Sequence, residues 1–149
     1  MTECVSFSPP GTGAEYVAPD ATITVKVGGE HTGAQYELFE VDAPRGPAGP
    51  PHQEAWSKAY YVLQGRMLVH LGDKGYDLGP GSSITIPAGT TNTFSVLTPS
   101  AKFLAISLTD GMGRFFADLD SVPDGDFEAL RAVIGRHGVT LTEPSEQPS

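Results

Sequence analysis

The sequence predicts an all-β fold, an antiparallel sandwich or barrel, with short helices near its carboxyl end. Eight short segments of the 149-residue chain carry the alternating or β-branched pattern of strands, and Gly, Pro or Asp-Lys breaks separate them. The 18 Gly and 13 Pro follow no three-residue period, so the chain is not collagen-like. Helical spacing occurs only after residue 111. Closely spaced short strands joined by tight turns are typical of sandwiches and barrels.

The amino-terminal part divides into an arm, two strands and a loop. Residues 1–18 are predicted to form a flexible arm that precedes one domain over residues 19–142. Strands are predicted at 22–27, where valine and isoleucine alternate with polar residues, and at 35–41. Residues 43–51 hold four prolines and two glycines, which predicts a stiff loop.

Six further strands are predicted, each bounded by turn residues. Gly65 falls between two alternating runs, where a hairpin needs a residue that tolerates a positive φ. A break is also predicted at Pro99 and Ser100. The six strands are 55–63, 66–71, 75–78, 82–87, 91–97 and 101–108.

The carboxyl end is predicted to be helical at about 112–119 and 126–137. In the second helix Phe127, Leu130, Val133 and Ile134 share an apolar stripe. Asp126 precedes this helix as an N-cap residue. Residues 143–149 are polar and contain prolines, which predicts a disordered tail.

Composition excludes several classes of partner. The chain carries 9 basic and 18 acidic residues, a net charge of −9, and such a surface repels nucleic acid and anionic membranes. Cys4 is the single cysteine, which predicts a protein of the reducing cytoplasm without internal disulfides. No amino-terminal apolar run follows a basic start, and no stretch is long enough to span a bilayer.

Two spaced motifs carry the most specific information. The first has His52 six residues after Gly46, then Glu54, Lys58 and Gly65; the second has Gly81, Pro87, Gly89 and Asn92. Together they resemble the two conserved stretches of the cupin family. The later segments 113–116 (GRFF) and 136–139 (RHGV) resemble the quercetin-dioxygenase-like branch. The resemblance covers most of residues 20–142 and implies a jelly-roll barrel, a homodimer and a small molecule bound inside.

The same resemblance implies a divalent transition metal held by His, His, Glu and His. In this sequence those four positions are His52, Glu54, Lys58 and Asn92. An ammonium group has no lone pair and repels a cation, so the resemblance predicts a degenerate site without a metal cofactor. If a metal is bound, His52, Glu54 and Asn92 remain as its ligands.

Lys58 and Glu54 are expected to form a salt bridge inside the barrel, because burying either charge alone is costly. The four motif positions are expected to face the barrel interior. Tyr60 shares the parity of Lys58 along its strand; it is a candidate acid or a core residue with a satisfied hydroxyl group. Trp56 either flanks the pocket mouth or packs in the core.

Three functions follow from these residues. In the first, a metal-independent enzyme transfers protons on a small organic molecule, aromatic or polyketide-like, in an isomerisation or cyclisation. His52, Glu54 and Lys58 would be catalytic, and Tyr60, Asn92 and Trp56 would bind substrate. The second is a metal-dependent dioxygenase with an unusual ligand set. The third is a binding module without catalysis, in which the ion pair is structural.

Overall fold

The computed structural model describes residues 3–141 and has ten strands and three helices in that range. The predicted tail at 143–149 lies outside the described residues. The strands are β1 (Glu15–Ala18), β2 (Ala21–Val27), β3 (Tyr36–Gly46), β4 (His52–Gln53), β5 (Lys58–Gln64), β6 (Met67–Leu71), β7 (Lys74–Leu78), β8 (Ser83–Ile86), β9 (Asn92–Leu108) and β10 (Thr140–Leu141). The helices are α1 (Gly29–Thr32), α2 (Gly111–Asp120) and α3 (Phe127–Arg136).

The strands form one curled antiparallel sheet, consistent with the predicted jelly roll. Strands β1, β2, β3 and β9 follow one another in the sheet. Strand β9 also pairs with β4, β5 and β6, and β8 and β7 extend the sheet beyond β5 and β6. The all-β fold with short helices near the carboxyl end is therefore confirmed.

Strand β9 runs without interruption for 17 residues, so the predicted break at Pro99 and Ser100 is wrong. Ser100 pairs with Pro44 of β3, so the ladder continues through this segment. Residues 92–96 of β9 pair with β6, and residues 100–108 pair with β3 and β5. Gly65 packs against Ser100, between these two parts of β9. It has φ +79°, and a Cβ there would lie 2.2 Å from the Ser100 carbonyl oxygen. Only glycine fits this turn.

Other boundaries differ from the prediction where pairing, rather than local pattern, decides. Strand β1 begins at Glu15, within the segment predicted as an arm. Strand β3 continues to Gly46, into the predicted loop, because β9 pairs with it beyond Ala43. The strand predicted at 55–63 begins only at Lys58, and the short β4 precedes it. The two-residue β10 has no signal of its own in the sequence.

The core fills the space inside the curled sheet. Phe39, Phe103, Met67 and Val62 have at most 1% of their surface exposed. The rings of Tyr60, Phe94 and Phe103 contact one another with centroids 4.9–6.5 Å apart. This dense packing leaves the polar residues of the interior in fixed surroundings.

Helices α2 and α3 occupy the two predicted helical segments and pack against the sheet. Phe116 of α2 contacts Phe39, with ring centroids 6.1 Å apart. Asp126 caps α3 as predicted by accepting a hydrogen bond from the Ala129 amide at 3.0 Å. The predicted stripe of α3 is wrong at Phe127, the first residue of the helix, which remains 70% exposed. Among residues 3–141, no helix has the length and apolar character needed to cross a lipid bilayer.

Candidate functional site

The four motif positions meet inside the barrel. His52 lies in β4 and pairs with Asn92, the first residue of β9. Glu54 follows β4, and Lys58 is the first residue of β5. Glu54, Lys58 and Asn92 are 7%, 6% and 3% exposed, as expected for side chains that face inward.

Glu54 is the centre of this cluster. Its Oε2 accepts hydrogen bonds from the Lys58 ammonium group and faces His52 Nε2 at 3.3 Å. Its Oε1 accepts a hydrogen bond from Asn92 Nδ2 at 2.8 Å. The predicted salt bridge between Lys58 and Glu54 is therefore present, and both carboxylate oxygens are engaged.

The surroundings of these groups keep them ionised. Burial alone would raise the pKa of Glu54, but the hydrogen bond to His52 and the charge of Lys58 outweigh it and lower this pKa to about 2. Burial would also lower the pKa of Lys58, whereas Tyr60 and Glu54 raise it above its ordinary value. Glu54 is thus a carboxylate and Lys58 an ammonium at neutral pH.

His52 is the member of the cluster that solvent reaches, with 28% of its side chain exposed. Its Nδ1 lies 3.2 Å from the carbonyl oxygen of Pro50, while Nε2 faces Glu54. Both oxygens only accept hydrogen bonds, so a doubly protonated ring satisfies both contacts and a neutral ring satisfies one. The two contacts hold the ring in place beside the ion pair.

Tyr60 and Trp56 lie on the same inward face as the ion pair. Burial alternates along this segment, and Glu54, Trp56, Lys58 and Tyr60 are the buried residues. The Lys58 ammonium nitrogen lies 5.3 Å from the centroid of the Tyr60 ring. Burial raises the pKa of Tyr60 despite the opposing effect of Lys58, so its hydroxyl group is a weak acid.

Two buried polar residues of this interior escape the sequence motifs. Ser107 of β9 pairs with Lys58 on one side and with Glu37 of β3 on the other, so the three side chains share one face of the sheet. Glu37 is 4% exposed and accepts hydrogen bonds from the amides of Gly29 and Gly113 at 3.3 and 2.9 Å. Burial raises its pKa. In the sequence, Glu37 alternates in step with Phe39 and Val41, and this alternation could have placed its side chain on the inward face of the strand.

The donor set does not fit a divalent metal. Within residues 3–141 no group of three or more His, Cys, Asp or Glu side chains is placed to hold an ion. Glu54, one of the three ligands that the sequence leaves for a metal, has both oxygens in hydrogen bonds, and one of these comes from the ammonium of Lys58. A cation placed there would meet the positive charge of Lys58.

A cavity of about 300 Å³ lies beside the cluster. Asn92 lines it together with His70, Thr93, Gly49 and Pro51. Because His70 and Thr93 pair across β6 and β9 on the face opposite to Asn92, this cavity lies under the proline-rich loop, outside the barrel interior.

Comparison with known proteins identifies the fold. Residues 38–107 match the model of the family described as Cupin domain. The structure of KdgF from Halomonas sp. is similar to 71% of this chain and 94% of its own, with a TM-score of 0.63 and 22% identity. The polyketide cyclase RemF from Streptomyces resistomycificus matches 72% of this chain and 80% of its own, with a TM-score of 0.58 and 24% identity.

A predicted oxalate decarboxylase from Thermotoga maritima matches 70% of this chain and 99% of its own, with a TM-score of 0.62 and 15% identity. None of the curated protein sequences matches the chain. The family match covers both motifs and all of β9 except its last residue, and the similar structures share the curled antiparallel sheet. Residues 38–107 therefore match a cupin domain, and the chain has the cupin fold.

Proposed function

We propose that this cupin binds a small organic molecule and catalyses proton transfer on it, as an isomerase or cyclase, without a metal cofactor. The observation that carries the proposal is the buried Lys58 ammonium, held by Glu54 at a position where the family resemblance implies a metal ligand. A fixed cation in a site of low polarity stabilises negative charge that develops on a substrate. Proton transfer at carbon produces such a charge.

Each charged residue has a separate role in this proposal. His52 carries the proton, because it is the partly exposed member of the cluster and an imidazole can serve as acid or base. Lys58 supplies the fixed positive charge. Glu54, with its lowered pKa, is a weak base, so it holds His52 and Lys58 in place.

Asn92, Tyr60 and Trp56 are proposed to bind the substrate. The aromatic interior suits an aromatic or polyketide-like molecule. RemF, named as a polyketide cyclase, shares the fold.

Deuterium uptake from D2O into 1-tetralone and 2-tetralone, followed by proton NMR, tests the proposed reaction. We expect the wild-type protein to accelerate exchange next to the carbonyl group and His52→Ala to lose this acceleration. His70→Ala is the matched control, because His70 faces away from the barrel interior. Uptake that is equal in wild type and His52→Ala would contradict the proposal.

The same samples separate the two alternatives. Near-stoichiometric transition metal by elemental analysis, lost together with activity in His52→Ala, would support the metal-dependent dioxygenase. Binding of a tetralone without deuterium uptake would support the non-catalytic binding module. The burial of Glu54, Lys58 and Asn92 favours the binding module over the dioxygenase, because a purely structural ion pair is buried in this way.

We further propose that the protein works as a homodimer in the cytoplasm. The outer face of β3, β9 and β5 exposes four large apolar side chains, each at least 44% accessible: Tyr36, Leu108, Ile106 and Tyr61. Tyr36 and Leu108 lie opposite each other across β3 and β9. A second copy would cover this apolar face. Light scattering should give twice the monomer mass, and Ile106→Glu should return the protein to a monomer.

A further inference from the structure

The indole nitrogen of Trp56 is a buried donor without an acceptor. Trp56 is 6% exposed, and within residues 3–141 no group accepts a hydrogen bond from its Nε1. Buried polar groups are nearly always paired with protein or with a bound molecule. An unpaired donor next to a catalytic cluster therefore points to an acceptor that the chain itself does not supply.

Packing fixes the direction of this donor. A Cβ at Gly111 would lie 2.9 Å from Cε3 and 3.4 Å from Cζ3 of Trp56, so this edge of the ring abuts the start of α2. Phe115 of α2 packs against the indole with ring centroids 5.9 Å apart. Nε1 lies on the opposite edge of an indole ring. The N–H group therefore points away from the beginning of α2.

The buried carboxylate two residues before Trp56 is already engaged. Trp56 lies on the inward face between Glu54 and Lys58, and Glu54 accepts from Lys58 and Asn92 and faces His52. Lys58 has no acceptor atom. Trp56 and Lys58 thus offer a neutral donor and a cation on one face, a combination suited to an oxygen that becomes negatively charged.

We propose that Trp56 Nε1 donates a hydrogen bond to the oxygen of a bound carbonyl compound that has an acidic C–H group next to the carbonyl. This inference rests on the proposed proton transfer and names its substrate class. His52 takes the proton from the carbon, the C–H electron pair forms a C=C bond, and the carbonyl π pair moves onto the oxygen. His52 returns the proton to the same carbon, on either face, as the oxygen pair re-forms the carbonyl group and the C=C pair takes the proton, so the step needs no oxidant or other reactant.

The test uses cyclopentane-1,3-dione, whose enolate resembles this intermediate, and the single tryptophan of the chain. The 15N-labelled protein gives one indole N–H signal in a 15N–1H correlation spectrum. We expect the dione to move the indole proton downfield, and cyclopentylammonium, which has no oxygen, to leave it unchanged. By calorimetry, Trp56→Phe should weaken dione binding about tenfold, the loss of one hydrogen bond. Phe127→Leu, at an exposed position of α3 away from the indole, should bind the dione as the wild type does.

The outcomes separate this inference from the proposed function. If the dione binds, tetralone exchange depends on His52, and the indole signal stays in place, the role of Trp56 is wrong and the proposed function stands. A downfield shift without His52-dependent exchange would contradict the proposed function and support the donor site. An indole signal that exchanges with a bound water before and after addition of the dione would overturn the inference. So would a dione that does not bind to the wild-type protein.

Discussion

At the scale of single residues, Glu54 and Lys58 depend on each other. Each is almost fully buried, and the two opposite charges form a salt bridge with each other. Removing one partner leaves an unpaired charge in the core, whereas removing both leaves none. Glu54 and Lys58, which both differ from the family motif, are therefore compatible with a buried site only when they occur together.

The first prediction is a double-mutant cycle on this pair. Lys58→Met and Glu54→Gln should each lower the free energy of unfolding by about 3–5 kcal/mol, and the double variant should lose much less than their sum. Urea denaturation measures all four proteins. The exposed pair Arg66 and Asp77, with 51% and 55% of the side chains accessible, is the matched control. Its coupling should be about 0–1 kcal/mol. Strict additivity at Glu54 and Lys58 would show that the two groups do not interact.

The second prediction concerns acid. The pKa of Glu54 is about 2 in the folded protein against an ordinary value of 4.5. Between these values the folded protein binds fewer protons than the unfolded chain, so stability rises with pH. The contribution of Glu54 should be complete above pH 4.5 and disappear as the pH falls towards 2. Unfolding free energies of the wild type and Glu54→Gln should therefore converge in acid, and a constant difference across this range would contradict the lowered pKa.

At the scale of elements, Glu37 joins a strand to two helices. Its carboxyl group accepts one hydrogen bond from Gly29 of α1 and one from Gly113 of α2. A Cβ at Gly113 would lie 2.3 Å from Oε2 of Glu37, so the helix can approach this closely only with glycine there. The contact holds the start of α2 over the end of the barrel where Trp56 lies.

The third prediction tests this connection. Glu37→Ala leaves two buried amides without an acceptor, at a cost of about 1–3 kcal/mol, and should speed hydrogen exchange in α2. Glu37→Gln keeps one acceptor and should have a smaller effect. Asp126→Ala, which removes the cap of α3, is the control and should leave exchange in α2 unchanged.

Because the pKa of Glu37 is raised, the stability that its protonated form contributes should be lost as the pH rises through that pKa.

Local pattern predicts elements well where pairing agrees with it. Ile23, Val25 and Val27 alternate, and β2 covers them. The continuous β9 was not predictable, because Pro99 and Ser100 read locally as a turn and only long-range pairing with Pro44 keeps the strand extended. The division between β4 and β5 has the same origin, since β4 is defined by its pairing with Asn92 and β10.

At the scale of the whole molecule, the sequence predicted the four motif residues of the site and missed the other buried polar residues around them. The spacing of His52, Glu54, Lys58 and Asn92 indicated their convergence because the family resemblance supplied their positions in the barrel. Glu37 and Ser107 carry no motif, and their place depends on the register of β3 and β9 across the sheet. Register between distant strands is not contained in the local sequence.

The fourth prediction tests whether the barrel keeps the geometry of a metal site. The triple variant Glu54→His, Lys58→Glu, Asn92→His restores the residue types that the family resemblance implies around His52. Calorimetry with Mn²⁺ or Zn²⁺ should detect binding to this variant. The same variant with His52→Ala in addition should bind less tightly. A folded triple variant that binds neither ion would show that these four positions do not form a converted metal site.

The pairing of β4 also has a consequence for how the protein is made. His52 pairs with Asn92 and, on the other side, with Leu141, which lies at the far end of the described chain. During synthesis Leu141 leaves the ribosome only after the barrel strands have emerged, so His52 gains its second neighbouring strand last. A chain halted before Thr140 would therefore fold its barrel first and leave His52 paired with β9 on one side only. Nascent chains of defined length, probed by protease, would reveal this order.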